Sequence, residues 1–78
     1  MNIETSYAID RADRMRLGEQ CLFTRGILMA AFGSDLPVYG TLEAAFCANL
    51  FGGAEGAYTL REDRKTNCFI LSRHWTPS

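Results

Sequence analysis

Charge is placed very unevenly along this chain: from Gly26 to Gly53 the only charged side chains are Asp35 and Glu43, in a protein that is 22% charged overall. A stretch so poor in charge belongs in a core or an interface, because removing apolar surface from water is the main driving force of both. It also holds no catalytic residue type in a recognisable spacing. At 78 residues the chain makes one domain, 1–78, and a chain of this size buries only about 60 to 65% of the surface its unfolded form exposes. Its 47% apolar and 12% aromatic content is that of a folded globular protein rather than a disordered one.

Three cysteines, Cys21, Cys47 and Cys68, allow at most one intrachain disulfide, and the odd count favours a reducing compartment. The N-terminus lacks the basic region and long apolar run of a secretory signal, and the apolar run near Gly26 to Gly33 is too short to cross a bilayer. The expectation is a cytoplasmic protein with no membrane segment. Formal net charge is −1, and residues 26–54 hold two acidic and no basic side chains. No segment draws phosphate strongly. Seven of the eight basic residues are arginines, which suit interface ion pairs because a guanidinium is a planar fork of donors.

Alternation of Ile3, Thr5, Tyr7 and Ile9 predicts a strand over 2–9, and the run from Asp10 to Arg16 then reads as the polar first turn of a helix. Cys21, Leu22, Leu28, Met29 and Phe32 recur at helical spacing and predict a helix from Glu19, with a short strand over Gln20–Thr24 as the rival reading. Leu36-Pro37 predicts a loop, since the residue before proline avoids αR. Thr41 is a good N-cap for a helix over 41–51, whose face is Leu42, Ala45, Phe46, Asn49 and Leu50. Gly52 or Gly53 would supply its C-cap. Segments 57–61 and 67–75 read as a hairpin with Glu62-Asp63-Arg64-Lys65 at its charged tip, Phe69 and Leu71 facing the helices. The fold class that follows is α+β, two helices on a two- or three-stranded antiparallel sheet with a C-terminal β-hairpin.

Chemistry has little to work with. His74 is the only histidine, and a strand rising about 3.3 Å per residue would hold it roughly 20 Å from Cys68, too far for a nucleophilic pair or a shared metal. Gly52-Gly53-Ala54-Glu55-Gly56 follows a helix and lacks the Lys-Ser/Thr of a phosphate loop. Glu62-Asp63 sits among Arg61, Arg64 and Lys65 in a solvated turn. No catalytic, cofactor-binding or metal-binding residue is assigned, and the expectation is a protein that is not an enzyme. Arg11, Arg14 and Arg16, with Arg64-Lys65, could form basic patches beside Tyr58, Phe69 and Trp75. Asp10, Asp13, Glu62 and Asp63 interrupt them, which argues against direct contact with nucleic acid.

Protein binding has the better residue-level case. Trp75 is the only tryptophan and stands beside Arg73 and His74; Trp and Arg are the types most enriched at interface hot spots. Leu36-Pro37-Val38-Tyr39 offers a second apolar surface. The candidate binding residues are Arg11, Arg14, Arg16, Tyr39, Arg64, Arg73 and Trp75. In its short length, its pI of about 5.7, its cysteine usage and its want of a catalytic signature, the chain is similar to small phage-encoded inhibitors such as anti-CRISPR proteins. That similarity lies in size and composition, and it implies a protein that sterically blocks a larger host protein or nucleoprotein complex. The alternatives are a homodimeric accessory or regulatory subunit, whose apolar middle would be a permanent interface, and a weak nucleic-acid-binding protein.

Overall fold

A computed structural model describes residues 2–50 and 57–74. Its first element corrects the expected N-terminal strand: Ile3–Asp13 is a helix, α1, with Asn2 as N-cap accepting a 2.7 Å bond from the Thr5 N–H. The face that α1 buries is made of Ala8 and Ala12, one turn apart, while Ile3 is 84% exposed. Small side chains let α1 lie close to the following helix; of the large residues that suggested a strand, Ile3 and Tyr7 are exposed and Ile9 packs against the core. The Thr5 hydroxyl donates to the Ala31 carbonyl at 2.7 Å and the Asn2 amide to Ala30 at 2.9 Å, so the start of α1 satisfies carbonyls that a helix end leaves open.

The helix expected from Glu19 divides at Thr24. Gln20–Thr24 is a strand, β1, with Cys21 and Phe23 buried in alternation, and Arg25–Phe32 is helix α2. The strand reading of Gln20–Thr24 therefore holds, and the single helical stripe does not: Leu22 faces away from the core and Met29 is half-exposed. Thr24 ends the strand and caps the helix, its hydroxyl accepting the Ile27 N–H at 3.2 Å, which leaves no loop between the two.

A 3₁₀ turn over Gly33–Asp35 leads into α3, a single turn over Leu36–Tyr39. This segment was expected as a loop. Pro37 fits because a proline in the first helical turn removes an N–H that has no partner there. Gly40, at φ 86°, turns the chain out of α3. Helix α4, Leu42–Ala48, is capped by Thr41, whose hydroxyl accepts the Ala44 N–H at 3.1 Å. Leu42, Ala45, Phe46 and Leu50 are buried as expected, whereas Asn49 is exposed. The glycines expected at the C-cap lie outside the described residues.

The hairpin forms with its tip shifted: β2 is Tyr58–Asp63 and β3 is Cys68–Arg73, paired antiparallel from Tyr58↔Arg73 to Asp63↔Cys68, so Glu62 and Asp63, expected in the turn, are strand residues. Arg64 to Asn67 form the turn, where Asp63 accepts the Lys65 N–H at 3.1 Å and Asn67 takes φ 56°, a conformation asparagine tolerates. Strand β1 adds to the other side of β3, giving the order β1-β3-β2. The fold is α+β, with a three-stranded antiparallel sheet and the helices on one of its faces. Cys21, Phe23, Phe69, Leu71, Tyr58 and Arg73 share the helix-side face of that sheet. Phe23 meets Phe46 edge-on at 5.3 Å between centroids, and Phe46 stacks on Phe32 at 4.9 Å. This aromatic column joins the sheet to α2 and α4 and anchors the core.

Candidate functional site

Among the described residues no group of three or more His, Cys, Asp or Glu side chains converges as a metal site would require. Cys68 and His74 sit toward opposite ends of β3. The Cys68 thiol is bonded to the Thr66 carbonyl at 3.4 Å and the His74 Nε2 pairs with the Thr59 hydroxyl at 2.7 Å. All three cysteines are free thiols. Burial pushes the Cys21 and Cys47 thiols above their ordinary range, with nearby Glu43 adding to the effect at Cys47 and Arg11 opposing it at Cys21. Both are held as protonated thiols rather than activated nucleophiles.

The candidate arginines part company. Arg73 is only 8% exposed. Its guanidinium donates to the Asp13 carbonyl at 3.3 Å and to the Met15 carbonyl, and it lies 5.5 Å from the centre of the Tyr58 ring. The Tyr58 hydroxyl donates to Ala12 at 2.9 Å, so the two side chains together hold the C-terminal end of α1. The candidacy of Arg73 as a surface contact is thereby corrected. Arg73 alternates in register with Phe69 and Leu71, whose face packs on the helices.

Arg11, Arg14 and Arg16 do not form one patch. Arg11 donates to the Tyr7 hydroxyl at 2.7 Å and lies 5.7 Å from the Phe23 ring centre. Arg14 pairs with Asp10 at 3.1 Å on the outside of α1, and Arg16 is exposed after the helix has ended. Arg64 is exposed in the hairpin turn, where it borders a shallow concavity with Arg61, Glu62, Asp63 and Lys65. Trp75 lies outside the described residues.

The α3 corner is different in kind. Val38 is 78% exposed and Tyr39 is about half exposed, although Leu36 of the same turn packs against the core. Leu36 and Gly40, the two ends of this turn, line a groove of about 210 Å³ with Met29, Leu42 and Phe69. Arg25 and Glu62 bound it, joined as an ion pair, with the guanidinium 5.3 Å from the Phe69 ring centre. The ion pair is part of the groove lining, as is Glu43. Sequence reasoning found Tyr39 and the apolar turn but missed Met29, Arg25 and Glu62. Nothing in their spacing announces that β2, α2 and α4 converge.

The groove lining combines apolar side chains with the Glu43 and Glu62 carboxylates and the Arg25 guanidinium. Searched against known protein families, curated proteins and solved structures, the chain matches none. Among the described residues no helix is long and apolar enough to cross a membrane.

Proposed function

We propose that this chain is a non-catalytic protein-binding module that acts by covering a surface of a larger protein, and that the α3 corner is the face it uses. The observation that carries this reading is the exposure of Val38 and Tyr39 on a turn whose Leu36 is anchored in the core. Large apolar side chains presented by a fixed turn beside a groove are the usual make-up of an interface centre. The charge around them selects the partner. Residues 26–54 carry Asp35 and Glu43 and no basic group, and Arg25 in the groove lining is already engaged by Glu62. An apolar centre within an acidic frame complements a protein surface whose apolar patch is ringed by Lys and Arg, the kind of surface that nucleic-acid-binding proteins present. Occupying it would exclude its ordinary ligand.

The test is affinity capture with the tagged protein from cells of its source, read quantitatively by mass spectrometry, comparing wild type with Val38→Asp/Tyr39→Ala and with Arg64→Glu as a control on another surface. The expected result is a stoichiometric partner that falls at least about tenfold with the α3 variant, as loss of a hot-spot pair requires, and is retained by the control. Equal recovery by all three proteins, with circular dichroism showing the α3 variant folded, would remove the α3 corner from the reading.

A further inference from the structure

The two free edges of the sheet are built differently. Hydrogen bonds from Arg73 N–H to Glu19 and from Arg25 N–H to Asn67 bracket the β1–β3 ladder. With partners alternating along an antiparallel pair, Cys21 and Phe23 turn their backbone groups toward β3, and Gln20, Leu22 and Thr24 turn theirs outward. That outward edge carries no charge, no proline and no bulge, the devices that ordinarily keep an edge strand from pairing. Strand β2, by contrast, ends in Arg61-Glu62-Asp63 and runs into Arg64-Lys65, and α4 packs against it. Among the described residues one edge is guarded and the other is open.

We infer that the open edge of β1 pairs antiparallel with β1 of a second copy of this chain, across a two-fold axis at Leu22, so that two three-stranded sheets become one continuous sheet. The choice of a second copy over any other extended segment rests on self-complementarity. In this register Leu22 faces Leu22 and Gln20 faces Thr24, so the apolar side chain meets its own copy, the polar ones meet each other, and no like charges are opposed along the strand. Leu22 is 59% exposed and stands beside Ile70 on the outer face of the sheet, so pairing would merge two small apolar spots into one strip across the axis. On the other face, Tyr7 and Arg11 lie against Phe23 of this same strand. Exposed Ile3, one turn before Tyr7, continues that border. Two copies of α1 would therefore come together alongside the paired strands and cover Ile3 and Tyr7, which an isolated peptide strand would leave in water.

The proposed dimer uses a different surface from the α3 corner and stands or falls separately. Light scattering on a size-exclusion column, run from about 1 µM to about 500 µM because self-association follows mass action, should give twice the chain mass of 8.7 kDa in the upper part of that range. Leu22→Pro removes one outward N–H without touching the β1–β3 ladder, a position where an edge strand accepts proline. Leu22→Lys sets like charges across the axis. Each should raise the dimer dissociation constant at least about tenfold while the far-ultraviolet circular dichroism stays that of wild type. Leu22→Cys should oxidise to a dimer whose disulfide maps to position 22, and Thr59→Cys on β2 should not. A wild type that remains monomeric throughout, or a dimer equally stable in Leu22→Lys and Leu22→Pro, would overturn the proposal. If the proline variant fails to fold, the wild-type mass and the lysine variant still decide.

Discussion

Replacing Arg73 with methionine tests whether this residue belongs to the fold or to a surface. The side chain is almost entirely buried, and its guanidinium bonds to the Asp13 and Met15 carbonyls beneath α1. Removing a charged donor from a buried carbonyl costs about 1.5–3 kcal/mol per bond, and the contact with the Tyr58 ring at 5.5 Å adds about 1 kcal/mol. Methionine keeps much of the apolar stem and recovers part of that loss. The expected net destabilisation is about 3 kcal/mol, a large fraction of the roughly 4–12 kcal/mol expected for a domain of this length. Thermal unfolding followed by circular dichroism should fall by about 12–24 °C. Tyr58→Phe alone, which deletes the hydroxyl bond to Ala12, should cost about 1 kcal/mol. The double variant should show a coupling of at least about 0.5 kcal/mol because both groups hold the same helix end. An Arg73→Met protein within about 0.5 kcal/mol of wild type, with additive behaviour in the cycle, would mean that β3 does not hold α1 and would return Arg73 to consideration as a contact residue.

Four further outcomes can be checked with the same equipment. Thr41→Ala removes the cap of α4 and should destabilise by about 1 kcal/mol in urea, while Gly40→Ala should cost a comparable amount, about 1 kcal/mol, because φ 86° there strains any residue with a Cβ. Phe46→Ala opens the aromatic column between Phe23 and Phe32 and should cost about 3–5 kcal/mol, a large part of the stability of a domain this small. Because burial raises the Cys21 and Cys47 pKa values in the folded state, the unfolded chain ionises first. The thiols' contribution to stability should therefore be constant below their ordinary range, near pH ~8.5, and fall as pH rises through it. The fall in the urea midpoint should be shallower in Cys47→Ala, and an unchanged slope in that variant would contradict the assignment.

The parts of the fold legible in the sequence are those where one face of an element is large and apolar. In β3, Phe69 and Leu71 alternate with Ile70 and Ser72, and the hairpin follows. In α4, Thr41 as cap with Leu42, Ala45 and Phe46 gives both the start and the buried face. The failures have the opposite cause. Helix α1 buries alanines and exposes Ile3 and Tyr7, so a pattern of large residues pointed the wrong way; the usable signal was Asn2 as a cap with Ala8 and Ala12 one turn apart. Across Thr24, a period-two segment abuts a helical one with no loop residue, and Leu22 and Met29 fell by chance on a helical spacing. The candidate site was half legible. Val38 and Tyr39 could be named because proline set them apart, but the groove beside them is made by β2, α2 and α4 meeting, which only tertiary structure produces.

Strand β3 lies in the middle of the sheet and is the last of the three to be made. Vectorial synthesis adds residues at about 5–20 per second, and neither β1 nor β2 has a strand to pair with until residues 68–73 have emerged from the ribosome. Until then the charge-poor middle of the chain waits with its apolar side chains uncovered. Folding of this protein should therefore begin at its C-terminal hairpin and run backward along the chain, and a nascent chain stalled before Cys68 should be a substrate for chaperones rather than a partly folded domain.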